Sequence, residues 1–294
     1  MIRVGTAGWS YADWEGRVYP REKPQGFHPL AWLARSFRTV EINSTFYALP
    51  QARNAERWAR LVAELPDFRF TVKLLQRFTH EPWRDLDEPL EDTAGRFLAG
   101  IDPLRRAGRV GALLAQFPHT FRRTPETRAR LAGIRELFGD LPIVLELRHA
   151  SWFTSEVLAR IADSGCSLAH IDLPESPDHP PVDFAPVGPL AYLRLHGRNR
   201  EAWFDPRAGR DQRYDYLYTD QEVEQLVQRV RRLAGERDET YVVTNNHFSG
   251  KAVANAIEIL AGLEDEPPLA PPPLLDAFPR LRGVARPAGQ QELY

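Results

Sequence analysis

Apolar and polar positions alternate in short runs along this chain, and between the runs apolar residues recur every three to four positions. The stretch TVEINSTFY, residues 39–47, shows the first pattern: Val40 and Ile42 are β-branched, and Glu41 and Asn43 fall between them. Successive strand side chains point to opposite faces, so one face of this strand is apolar and the other carries a carboxyl and an amide. The same reading predicts strands at 2–7, 69–73, 111–117, 143–147, 167–171, 191–195 and 240–244. Helical spacing predicts helices at 30–35, 92–107, 124–138 and 151–163. It also predicts helices opened by Asn54, by Asp220 (to Leu233) and by Ser249 (to Leu260) as N-caps.

Eight strands, nearly all followed by a helix, imply a parallel sheet, and that number of units fits an α/β fold of the (β/α)₈ TIM-type barrel with long rim loops. The competing architecture is an open doubly wound sheet. No G-x-G-x-x-G follows the first strand and no G-x-x-x-x-G-K-[ST] occurs, so no nucleotide-cofactor motif supports it. A single barrel domain is expected over residues 1–263. From Glu264 the composition changes: seven prolines fall in the last 31 residues, which reads as an extended C-terminal tail partly packed by Leu274, Leu275 and Phe278.

Composition narrows the function classes. The chain of 294 residues has a formal net charge of −2, which gives no whole-molecule argument for nucleic acid or an anionic membrane. Its one cysteine, Cys166, allows no internal disulfide and fits a reducing compartment. No apolar run approaches membrane-spanning length and the N-terminus lacks a signal-peptide pattern, so a cytoplasmic location is expected. Arginine dominates the cations, with lysine only at 23, 73 and 251. A lysine at a strand end is therefore informative, because lysine can lose its proton when desolvated and arginine does not.

Assigning the inward phase of each strand by its polar residues gives Glu41 and Asn43, Thr71 and Lys73, Gln116, Glu146 and Arg148, Tyr192, Arg194 and His196, and Asn246. All lie near the C-terminal ends of strands, where TIM-type barrels place their active sites. The candidate acid–base groups are Glu41, Lys73, Glu146 and His196. The candidate substrate-binding groups are Trp9, Asn43, Gln116, Arg148, Arg194 and Asn246. Two acids (Glu41, Glu146) against three permanent cations (Lys73, Arg148, Arg194) suit a small ligand bearing phosphate or carboxylate. The structural alternative is a core ion-pair network among the same charges. Such networks contribute little net stability compared with apolar residues, which weighs against stability as their only purpose.

His119, His149, His196 and His247 fall near strand ends, and Asp172 or Glu146 could join them around a metal. There is no H-E-x-x-H or paired-cysteine pattern, and the surrounding cations repel a metal ion, so no metal ligand is assigned. Trp9, Trp14, Tyr216 and Tyr218 sit in long rim loops, where they either lid a pocket or pack the loops onto the barrel.

GTAGWSYADWEGRVYP, TVEINSTFY, FRFTVK, LLAQFP, LELRHASW, YLRLHGRN and YVVTNNHFSGKAVANA occur in this order. Together they resemble the YecE-like family, the domain of unknown function seventy-two, over about residues 2–260. The resemblance implies a TIM-type barrel and carries no activity with it. The last five residues, QQELY, resemble the Q-x-x-L-[FY] peptide that docks bacterial proteins on the replication sliding clamp, through Gln290, Leu293 and Tyr294.

Three readings stay open. The first is an enzyme acting on a small anionic substrate by acid–base chemistry. The second is a metal-dependent nucleic-acid-processing protein, like an apurinic-site nuclease, or a DNA-associated protein docked through its C-terminus. The third is a non-catalytic ligand-binding barrel.

Overall fold

The computed structural model describes residues 1–288. One sheet of nine strands carries the order β6-β5-β4-β3-β2-β1-β9-β8-β7. The strands are β1 (Ile2–Ala7), β2 (Thr39–Ile42), β3 (Arg69–Lys73), β4 (Val110–Gln116), β5 (Ile143–Glu146), β6 (Ser167–Leu168), β7 (His170–Asp172), β8 (Ala191–Leu195) and β9 (Thr240–Thr244). The pairings β1–β9, β3–β4, β4–β5 and β5–β6 are parallel. The two ends of the order, β6 and β7, are consecutive pieces of one expected strand, interrupted at Ala169. The fold is therefore the expected α/β barrel of TIM type, with one strand broken in two.

The helices are α1 (Pro29–Leu33), α2 (Ala52–Leu61), α3 (Gln76–Thr79), α4 (Leu90–Arg106), α5 (Pro125–Phe138), α6 (Ser155–Asp163), α7 (Arg200–Phe204), α8 (Arg210–Arg213), α9 (Asp220–Glu236), α10 (Lys251–Leu263) and α11 (Pro272–Ala277). Three expected caps move. Asn54 lies inside α2, which starts just past Pro50 with Gln51 as N-cap. Thr219, not Asp220, caps α9, because its hydroxyl and the Glu222 side chain form a reciprocal capping box. Ser249 precedes α10 with φ of 56°, and Gly250 takes the N-cap position in the left-handed region at φ 81°.

Two compact units make up the chain. The first comprises Met1–Val40, Asp172–Pro174 and the chain from Leu193 on. In it α9 turns Val223, Leu226, Val230 and Leu233 inward, and α10 is buried along nearly its whole length from Ala252 to Leu260. The second comprises Glu41–Ile171 and Glu175–Tyr192. Its helices meet through Phe78, Phe97 and Phe138, whose ring centroids lie 5.0–6.3 Å apart, edge to face. A second stack runs from Phe117 through Phe121 to Trp152.

The proline-rich segment is folded rather than extended as far as Ala288. Leu269–Ala270 pairs with Arg286–Pro287, and α11 buries Leu274 and Leu275, with Phe278 and Leu281 buried after it. Prolines at the first helical positions are tolerated because their missing N–H has no intrahelical partner there. Gln290, Leu293 and Tyr294, the sliding-clamp residues, lie outside the described residues. Among the described residues, no helix is long and apolar enough to cross a membrane.

Gly5 shows how tightly β1 is held. A Cβ there would stand 1.8 Å from the Thr39 carbonyl oxygen, which is backbone and cannot swing away. Gly5→Ala is therefore expected to destabilise by about 1–3 kcal/mol or more through overpacking. Thermal unfolding checks this, at about 2–4 °C per kcal/mol; an unchanged midpoint would mean that β1 and β2 separate freely.

Candidate active site

All ten side chains expected at the site lie within two residues of the C-terminal end of a strand. Lys73, Gln116 and Glu146 are the last residues of β3, β4 and β5. Glu41 and Arg194 are penultimate in β2 and β8. Asn43 and His196 follow β2 and β8 directly, and Trp9, Arg148 and Asn246 lie two residues beyond β1, β5 and β9. The ten divide between the compact units. Glu41, Asn43, Lys73, Gln116, Glu146 and Arg148 belong to the second, and Trp9, Arg194, His196 and Asn246 to the first.

In the second unit the register sets the depth. Gln116 pairs with Glu146, whereas Lys73 pairs with Leu114, one inward-facing row lower. Lys73 is half-buried. Glu146 reaches no solvent, and Arg148 meets it with Nε and Nη2 both 2.6 Å from Oε1. Glu41 is also fully buried, and the Tyr192 hydroxyl donates to its Oε2 at 2.9 Å. Thr71 Oγ1 lies 2.9 Å from the same phenol oxygen. One O–H carries one proton, so Tyr192 donates to Glu41 and accepts from Thr71. These bonds place Glu41, Thr71 and Tyr192 on the interior face, as strand alternation requires. Gln116 donates Nε2 to the Phe117 carbonyl at 2.8 Å, and the buried Oδ1 of Asn43 has no hydrogen-bond partner.

Lys73 Nζ stands 3.8 Å above the Phe46 ring, a cation–π distance. His80 meets the same ring edge-on, with centroids 4.9 Å apart at 82°. Burial of the imidazole, then the charges of Lys73, Arg148 and Arg130, lower the His80 pKa to about 4, with Glu146 opposing them. His80 as a whole remains exposed. Nothing in the local sequence marks His80, which closes the short helix α3; only the fold brings it to Lys73 and Arg148.

In the first unit the buried His196 Nδ1 lies 3.0 Å from Asn245 Nδ2. Asn246 Nδ2 donates to the Tyr216 carbonyl and to Asn255 Oδ1, each at 2.8 Å. Asn255 is itself oriented by the Tyr218 N–H and by Glu258, and Glu258 is gripped by Arg280 of the C-terminal segment at 2.7 Å. With Nδ2 committed to these two acceptors, the buried Asn246 Oδ1 has no hydrogen-bond partner. Arg194 is buried. Trp9 is half-buried, and its carbonyl accepts from the Tyr19 hydroxyl at 2.6 Å. Asp172, weighed above as a metal ligand, is held by Arg198 at 2.9 and 2.7 Å and by the Tyr218 hydroxyl at 2.8 Å.

Comparison with known proteins matches residues 3–276 to the family described as "Protein of unknown function DUF72". The chain belongs to this family. It is 30% identical over 289 residues to the UPF0759 protein YunF of Bacillus subtilis, covering 95% of this chain and 100% of that one. A solved DUF72 family protein from Thermotoga maritima is 32% identical with a TM-score of 0.77, covering 90% of this chain and 100% of that one. Another from Enterococcus faecalis is 29% identical with a TM-score of 0.79, covering 90% and 95%. The resemblance read from the strand-end motifs is thus the family shown.

Among the described residues of this DUF72 protein, no three His, Cys, Asp or Glu side chains group closely enough to hold a metal ion. His149 is occupied as a cap, its Nδ1 accepting the Ser151 N–H at 3.1 Å. Trp14 and Tyr218 are fully buried: the Trp14 indole donates to the His247 carbonyl, and the Tyr218 hydroxyl accepts the Gly197 N–H. They pack the loops, which decides between the two roles considered for them.

Two tests follow from this geometry. Tyr192→Phe removes the donor to a fully buried carboxyl and is expected to cost about 1–3 kcal/mol in denaturant unfolding; no loss would mean that Glu41 is otherwise satisfied. His247 stacks on Tyr11 at 4.6 Å and is buried, and burial, then Arg210, lower its pKa to about 4. Between about pH 6.5 and 4 the unfolded chain therefore binds more protons at this residue than the folded one, so stability falls as pH falls. The loss attributable to His247 is about 3 kcal/mol, at about 1.36 kcal/mol per pH unit. His247→Phe should flatten the stability–pH curve across that window, and an unchanged curve would refute the buried neutral imidazole.

Proposed function

We propose that this protein is an enzyme that binds a small substrate bearing phosphate or carboxylate at the strand ends of its second unit and acts on it by acid–base chemistry. One arrangement carries the reading: Lys73 at the end of β3 and His80 share the Phe46 ring, Arg148 stands on Glu146 at the end of β5, and the charged groups around His80 are Lys73, Arg148 and Arg130 against Glu146. Such an excess favours an anion, and the low dielectric of a partly buried site strengthens the attraction. Lys73 is a point charge with three donors, and Arg148 offers a planar fork that matches carboxylate and phosphate oxygens. Arg130 donates to the carbonyls of Phe78 and Glu81, so it lends charge from a fixed position. Glu146, gripped by Arg148, and Glu41, gripped by Tyr192, are the carboxyl groups available to hold or move a proton. Arg194, His196, Asn246 and Trp9 belong to the other unit, and the reading does not depend on them.

Calorimetric titration with inorganic phosphate and with citrate tests the first half of this reading. Binding is expected to weaken as salt rises. Lys73→Ala and Arg148→Ala should each weaken it roughly tenfold or more, the worth of a hydrogen bond to a charged group. Glu146→Gln should leave the fold intact and abolish turnover of any substrate found by screening phosphorylated and carboxylated metabolites. Variants that unfold instead would show that these charges form a stabilising ion-pair network. Binding of a DNA oligonucleotide in place of small anions would favour the nucleic-acid reading.

A further inference from the structure

We propose that His80 is a further proton-carrying group of this site, beside Glu41 and Glu146, and that it takes up a proton when an anion settles against Lys73 and Arg148. The inference rests on the anion-binding reading above and adds a residue and a coupling to it. His80 is positioned by its own backbone, whose N–H closes α3 on the Gln76 carbonyl at 2.7 Å. Its ring and the Lys73 ammonium share one aromatic neighbour, Phe46, the ammonium over the face and the imidazole at 82° to it.

The charged groups that face His80 come from three elements: Lys73 from the end of β3, Glu146 and Arg148 from the end of β5, and Arg130 from α5. The turn Ser44–Phe46, which supplies the aromatic ring, carries no ionisable side chain. Burial first, and then the nearby positive charge, disfavours the imidazolium, so the ring is neutral near pH 7. An anion that compensates Lys73 and Arg148 removes the charge part of that penalty while the burial part remains, so the imidazole pKa rises toward the ordinary histidine range. Thr79 Oγ1 lies 2.8 Å from His80 Nδ1. A hydroxyl can donate to the neutral ring and, after rotating, accept from the protonated one, so both states keep a partner. The proton comes from solvent on binding and then sits beside the bound ligand, where a general acid is placed. The coupling requires anion affinity to rise as pH falls from neutrality.

The test is an NMR titration of the imidazole ¹⁵N signals of the whole protein, with the His80 signal identified by its loss in His80→Gln. The probe is inorganic sulfate, which keeps its charge across the range from about pH 5 to 8 that histidine reports. Without sulfate, His80 should titrate below the ordinary histidine range. With saturating sulfate its midpoint should rise by about one pH unit or more, and in Lys73→Gln it should rise without sulfate. If calorimetry shows sulfate bound while the His80 midpoint stays fixed, the proton coupling is wrong and the anion site stands. If neither sulfate nor phosphate binds, the anion-binding reading falls and the coupling falls with it.

Discussion

A carboxyl group cut off from water must be given donors, and this constraint shapes the strand ends. Removing one partner of a buried charge pair costs several kcal/mol, because the remaining group keeps its desolvation penalty. Glu146 and Glu41 reach no solvent and Asp172 almost none. Each is met by side chains from a precise place in the chain: Arg148 two residues on, Tyr192 from β8, and Arg198 with Tyr218 from the loops after β8. The Asp172 group also fixes the loops, since the Tyr218 hydroxyl takes the Gly197 N–H while donating to the carboxylate. Gly197 sits there at φ 89°, a backbone angle that glycine alone adopts freely.

The two units use polar burial differently. In the first, a continuous chain of hydrogen bonds runs from Arg280 through Glu258 and Asn255 to Asn246, so the proline-rich segment orients a strand-end amide. The carboxyl of Glu258 is pushed up by burial and held back by Arg280 and Asn255, which balances the relay. In the second, the excess of cations around His80 creates a local positive field although the molecule is nearly neutral overall. Net charge is a sum over the surface, whereas a ligand responds to the charges within about a Debye length.

Much of the fold was legible in the sequence because barrel strands advertise themselves: buried apolar runs with polar ends, each followed by a helical period. The eight expected strands are all present, with only the one at 167–171 split at Ala169. Helix caps were less legible. Thr219 and Asp220 are both good cap residues, and the capping box with Glu222 decided between them. The proline count misled for the C-terminal segment, since prolines at the start of α11 permit a helix while the apolar residues Leu274, Leu275 and Phe278 bury it.

The sequence by itself determined the family, the barrel, and the row of polar side chains at strand ends, because strand alternation and the motifs around Glu41, Glu146, His196 and Asn246 are local patterns. Only the tertiary structure decided the partners. Tyr192 is 151 positions from Glu41, and Arg130 acts on His80 from 50 positions along the chain. Hydrogen bonds and electric fields depend on distances through space, and those exist only once the strands have taken their register.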